Sequence, residues 1–227
     1  EGLVKAICEY DKENEWIFFF SSMRSSLDGS IESLIVKRGF KLVKAGIPPT
    51  ALSAIWNRLH IASIDRFIGR VDWLITSDWT EPPSKNKKAT IVHDLVFMKY
   101  PETVDLTIKK TQKFRLNWIK KESHVIFADS DSTRNDLISL LAISPDKIVK
   151  NYPGVDAVTI KARTRKPFIL TVGKLEPRKN TETLVKAFNK LGRQDIDLYI
   201  AGMTGWGKVQ VEESPHIKLL GYIPDER

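Results

Sequence analysis

Cysteine is almost absent: Cys8, in the helical pattern LVKAICEY, is the only one in 227 residues. An intrachain disulfide and a cysteine-built metal cluster are therefore both excluded, and a reducing, cytoplasmic setting fits best. No apolar run approaches the roughly 18 residues of a membrane span and no secretory signal leads the chain, so any membrane contact is expected to be peripheral. Histidine is scarce as well. His60, His124 and His216 lie in helix or strand patterns with no partners at ligand spacing, so no metal site is expected. The aromatic residues are not interleaved with the basic ones as a stacking platform requires, which argues against a nucleic-acid partner.

What is present is enough apolar residue, 42% of the chain, to bury a sizeable core. There is also a surplus of positive charge: 36 Lys and Arg against 28 Asp and Glu give a net charge of +8. Such a balance favours phosphorylated metabolites or an anionic lipid surface. Six of the basic residues fall in IKKTQKFRLNWIKK, Ile108 to Lys121, on an expected helix. That helix is either a solvated face or a patch facing phosphate or membrane. The chain opens inside a helical pattern, Leu3, Val4 and Ile7.

Short apolar runs recur between helical patterns: EWIFFF, FKLV, DWLIT, ATIV, HVIFA, DKIV, FILTV, DLYIA and IKLL. Their continuous rather than alternating hydrophobicity suits strands of parallel sheets covered by helices, so the fold class is α/β. Helices are expected near Ala51 to Ile68, Val104 to Lys121, Ser132 to Leu141 and over TETLVKAFNKL, where Leu184, Phe188 and Leu191 share one face. The organisation predicted is a Rossmann-like domain over residues 1–150, a linker over 151–167, and the start of a second Rossmann-like domain over 168–227.

In open parallel sheets ligands bind beyond the carboxyl ends of the strands. Gly173 lies at such an end, in FILTVGKLEPRKNTETLVKAF, and a helix starting near Asn180 turns its unpaired N–H groups to the same spot. With Lys174, Arg178 and Lys179 alongside, the turn is either a phosphate site that needs only one glycine or a hydrated basic turn. His93 ends the run Ile91–Val92, and Asp78 ends the preceding strand, where it can meet a substrate hydroxyl. Asp94 reads as a local cap. Gly202 lets backbone approach a ligand or makes a tight turn. Gly221, Tyr222 and Ile223 can offer main-chain groups to a flat base.

Together, VGKLEPRKN, IAGMTGWG, LLGYIPDE, VHDLVFMKYPE and ADSDSTRNDLISLLAISPDKIVKNYPGVD resemble the group 1 (family four) retaining glycosyltransferases of GT-B fold, in their mannosyltransferase-like branch. The resemblance runs from about Leu52 onward. It implies two Rossmann-like domains facing each other and a GDP- or UDP-linked sugar donor held mainly by the second, with no metal or other cofactor. It also implies a hexose, mannose in that branch, passed with retention to a glycan or lipid-linked acceptor of surface polysaccharide biosynthesis. By the same resemblance Lys179 binds the donor diphosphate and Lys174 stands where arginine is common. Arg178 supports the turn, His93 approaches the donor sugar, and Gly221 to Ile223 border the base. An anionic membrane at the inner face is the expected peripheral contact. The family's glycine-rich loop would precede Glu1 and its paired glutamates would follow Arg227, so the chain is expected to be an internal fragment with weak or no turnover. The alternative is a non-catalytic nucleotide-binding or scaffold fragment.

Overall fold

The structure, a computed structural model, describes residues 2–155, 166–205, 207 and 209–224, so most of the expected linker lies outside the described residues. The chain divides into two compact units, Glu1–Lys99 with Leu106–Pro153, and Tyr100–Asp105 with Gly154–Arg227.

The first unit begins with helix α1 (Gly2–Tyr10), strand β1 (Ile17–Ser21), helix α2 (Gly29–Lys37) and strand β2 (Lys41–Ala45). Asp28 starts α2 by accepting from the N–H groups of Ser30 and Ile31, which satisfies donors that the first turn leaves free. β1 and β2 pair in parallel, and alternate residues of β1 serve two cores. Phe18 packs with Cys8, Ile31 and Ile35. Ile17 and Phe19 pack with Leu52, Trp56, Ile64, Ile68 and Leu74.

The chain continues through α3 (Pro49–Leu52) directly into a π-helical stretch, Ser53–Leu59, and then α4 (Asp65–Ile68). The single helix expected over Ala51 to Ile68 is therefore broken. His60 and Ala62 adopt left-handed backbone, φ 53° and 59°. The Trp56 indole donates to Ala62 O at 2.9 Å, and the His60 ring stacks on Trp118 at 3.5 Å. These tertiary contacts override a local pattern that periodicity reads as continuous.

A four-stranded parallel sheet follows, in the order β3 (Trp73–Ser77), β4 (Lys87–Val92), β5 (Val125–Ala128), β6 (Ile148–Lys150). Its connections carry α5 (Val96–Lys99), α6 (Leu106–Glu122) and α7 (Asp131–Leu141). Leu116 and Ile119 of α6 and Leu137 of α7 close on Val92, Ile126 and Ile148 of the sheet; each such side chain, fully buried, contributes about 1.5–3 kcal/mol.

The second unit holds β7 (Phe168–Val172), α8 (Thr181–Leu191), β8 (Asp197–Ala201) and β9 (Ile217–Gly221) in a parallel sheet ordered β7-β8-β9. α8 covers one face through Val185 and Phe188, against Leu198, Ile200 and Ile217. Leu184 joins this cluster from its edge, but Leu191, expected on the same face, is exposed, because the helix ends there at Gly192.

Candidate functional site

Two sets of strand ends gather the candidate residues, one in each unit. In the first unit, Asp78, His93 and Asp129 are the residues immediately after β3, β4 and β5. These strands are neighbours in register, Ser77 beside Ile91 and Val92 beside Ala128, so the three side chains stand in a row. His93 Nε2 lies 3.0 Å from Asp78 Oδ1 and 3.3 Å from Ser77 Oγ. His93 Nδ1 bonds Asp129 Oδ2. With a carboxylate at each ring nitrogen, the imidazole is fixed in orientation while about half its side chain stays exposed. Asp129 ends HVIFA as His93 ends ATIV, and that strand-end position is the signal by which the sequence points to it. Asp94 acts as the local cap expected, accepting from the Val96 N–H at 3.0 Å.

Asp78 reaches His93 from a left-handed backbone, φ 59°, which L residues adopt at a cost. Gln112 of α6 donates to the Asp78 carbonyl at 2.7 Å. Behind Gln112 lies a buried charge network. Arg115 donates to Thr90 Oγ1 and Ile91 O, both at 2.8 Å, and its Nε lies 3.8 Å from Glu81 Oε2. Glu81 also faces Lys88 Nζ at 3.1 Å. Lys88 Nζ continues to Glu122 at 2.8 Å, and Glu122 to His60 Nε2 at 2.6 Å. Glu81, Lys88 and Arg115 are 0%, 1% and 2% exposed. Burial pulls the Arg115 guanidinium down from its ordinary range, against the attraction of Glu81 and Asp78. Burial also pushes the Glu122 carboxyl upward, but the bonds and charges of Lys88 and His60 outweigh it and hold this group low. Arg115, counted in the basic run of the sequence, is therefore an internal strut, while Lys110, Lys113, Lys120 and Lys121 remain exposed.

In the second unit, β7 ends at Gly173, φ 155°, and its N–H donates to Ala201 O at 2.8 Å. The loop after β8 runs against it so closely that a Cβ on Gly202 would lie 2.0 Å from Gly173 O. Only glycine fits there. The 3₁₀ turn Pro177–Lys179 follows and ends at Asn180, left-handed at φ 52°, so α8 starts without a side-chain cap. The Lys179 side chain folds back over Gly173, its Cε 3.8 Å from where a Cβ would stand. Lys174 and Lys179 are both exposed, and neither has an acidic partner among the described residues. Arg178 instead donates Nε to Glu176 Oε2 at 2.9 Å. Glu176 is itself buried and fills the space beside Gly205, so Arg178 braces the loop. One strand further on, Gly202 N–H donates to Gly221 O at 2.7 Å, and Tyr222 and Ile223 emerge exposed. The turn therefore gathers two free ammonium groups and an uncapped helix end, a combination that attracts a phosphorylated anion. Among the described residues no group of three or more His, Cys, Asp or Glu is placed to hold a metal ion, and no helix is long and apolar enough to cross a membrane.

Parallel strands with helical connections define an α/β chain of glycosyltransferase-like, GT-B-type fold. Among solved structures it is similar to HepE from Anabaena. One crystal structure of HepE, in complex with UDP and glucose, matches with a TM-score of 0.60 at 12% identity, and another, in complex with UDP-glucose, with a TM-score of 0.58 at 11% identity. Each match covers 99% of this chain and 65% of HepE, so the chain spans just under two thirds of that protein's length. No protein-family model and no curated protein sequence matches.

Proposed function

We propose that the chain is part of a retaining glycosyltransferase that moves a hexose from a nucleotide-diphosphate sugar to a glycan or lipid-linked acceptor. The observation that carries this reading is the Gly173–Asn180 turn, where Lys174 and Lys179 stand exposed beside the uncapped start of α8. The complexes of HepE with UDP and with UDP-glucose favour UDP over GDP as the donor's nucleotide. A mannose donor, surface polysaccharide as product, and a place at the inner face of an anionic membrane belong to the same proposal and rest on the sequence resemblance.

In the reaction the bond between the sugar's C1 and the diphosphate oxygen breaks, and its electron pair stays on the diphosphate. A bond from C1 to the acceptor oxygen forms on the same face of the ring, and the hydroxyl proton leaves with the diphosphate. Negative charge grows on the leaving group, so cations already in place lower the barrier. Lys174 and Lys179 are assigned that work without a metal ion. His93 is assigned to the reacting sugar, with Asp78 on the acceptor or sugar side, while Gly202 and Gly221 to Ile223 border the base.

The test is the thermal unfolding midpoint with UDP, GDP and ADP. A ligand that binds only the native state raises stability by about 2.7 kcal/mol at a hundredfold excess over its dissociation constant. UDP is expected to raise the midpoint, and Lys179→Ala to abolish the rise. An equal rise in wild type and mutant would remove the diphosphate turn from the proposal.

A further inference from the structure

Beside the His93 corner lies a groove that the donor chemistry does not use. It runs between the α3–π-helical stretch and the first half of α6, with a volume of about 280 Å³. Thr50, Ser53 and Arg58 line one wall and Thr107, Lys110 and Thr111 the other. Both helices follow strands of the first unit, α3 after β2 and α6 after β4, and so begin on the side where strand ends face ligands. The groove adjoins the corner through two bonds: Asn57, in its floor, donates to Trp79 O at 2.7 Å. Gln112, next to Thr111, donates to Asp78 O.

The composition of the walls states what they suit. Two cations and four hydroxyl-bearing side chains line the groove, with no carboxylate among the described lining residues. Neither Arg58 nor Lys110 makes an ion pair among the described residues. An arginine fork and an ammonium over hydroxyl donors form a receptor for phosphate oxygens. Leu106 and Phe114 add exposed apolar surface at the same groove.

We infer that this groove binds the phosphate or diphosphate group of the acceptor, setting its sugar hydroxyl beside His93. The acceptor role rests on the proposed transferase; phosphate binding in the groove does not. A soluble sugar phosphate and a phosphate borne by a lipid present the same chemistry.

The experiment uses the whole chain with inorganic pyrophosphate as probe, followed by amide resonances in ¹H–¹⁵N spectra. Pyrophosphate is expected to shift Thr107 and Thr111. Arg58→Gln and Lys110→Gln are each expected to weaken that binding about tenfold, since a hydrogen bond to a charged group contributes about one tenfold step or more. Lys179→Ala leaves these shifts in place, whereas UDP stabilisation responds to Lys179→Ala and not to the groove variants. Groove shifts without any UDP response would sink the transferase proposal and spare the site. Thr107 and Thr111 resonances unmoved by pyrophosphate, or moved equally in both groove variants, would overturn the site. Vesicles of phosphatidylcholine containing phosphatidic acid separate the two sources. Binding lost in the groove variants identifies a lipid-borne phosphate, and pyrophosphate binding without vesicle binding identifies a soluble one.

Discussion

Asp78 combines a strained backbone with a contact to the histidine most exposed to function. Glycine relieves the left-handed conformation, whereas alanine keeps its cost of about 1–2 kcal/mol. Asp78→Gly is therefore expected to fold at least as stably as Asp78→Ala in urea denaturation, while both alter the His93 Nε2 resonance by removing its carboxylate partner. An unchanged resonance would mean that Asp78 does not hold the ring. Gly202 offers the opposite case, because a Cβ would meet Gly173 O at 2.0 Å on a backbone with φ 144°. Gly202→Ala is expected to cost about 3 kcal/mol or more and to weaken UDP binding with it, read as a lowered denaturation midpoint and a smaller thermal shift. Both residues were visible in the sequence because each closes an apolar run. Asp129 obeys the same rule, closing HVIFA. The brace between Glu176 and Arg178 was hidden, since nothing in the spacing says which partner a turn arginine takes.

Helix α6 is the element in which pattern and structure differ most. Its basic run reads as one charged face, but packing turns Arg115 inward and gives it a neighbour in Glu81, while Lys110, Lys113, Lys120 and Lys121 stay exposed. Periodicity reports which residues are apolar, not which charges will meet inside, and that depends on strands β3 and β4 reaching the same layer. Breaking such a buried pair is expensive, because the abandoned charge is left in low dielectric. Lys88→Met is expected to destabilise the first unit by about 3–5 kcal/mol, measured by denaturant midpoint. Glu122 gives the network a pH dependence. Its carboxyl is held below the ordinary 4.5, so its contribution is complete above that value and disappears as pH falls through the lowered one. Glu122→Gln is expected to lower the midpoint at pH 7 and to flatten the acid limb of stability against pH. An identical acid limb in wild type and variant would count against the linkage.

Across the whole molecule, the nine strands among the described residues fall where short apolar runs stand in the sequence, although only β4 and β8 are buried on both faces, whereas β3 alternates and β7 is largely exposed. Helix α2 has only nine residues, and its inward face amounts to Ile31 and Ile35 with Leu34 beside them, so its period is brief in the sequence. The helical break at His60 is not legible locally, because the ring finds its stacking partner in Trp118, 58 residues further along. Each unit closes its own cores, and the one formed by α1, α2, β1 and β2 encloses Cys8 at 3% exposure. Burial raises that thiol above its ordinary range, against the pull of Arg38, so the reactive thiolate is scarce as well as shielded. As the sole thiol of the chain, Cys8 is a built-in stopwatch: an aromatic disulfide reagent colours only those molecules whose first helices have swung open. Wild type is expected to react far more slowly than free cysteine, and Ile35→Ala, by loosening the same core, to quicken the colour. A wild-type thiol that reacts at the free rate would show that this corner of the protein spends its time open.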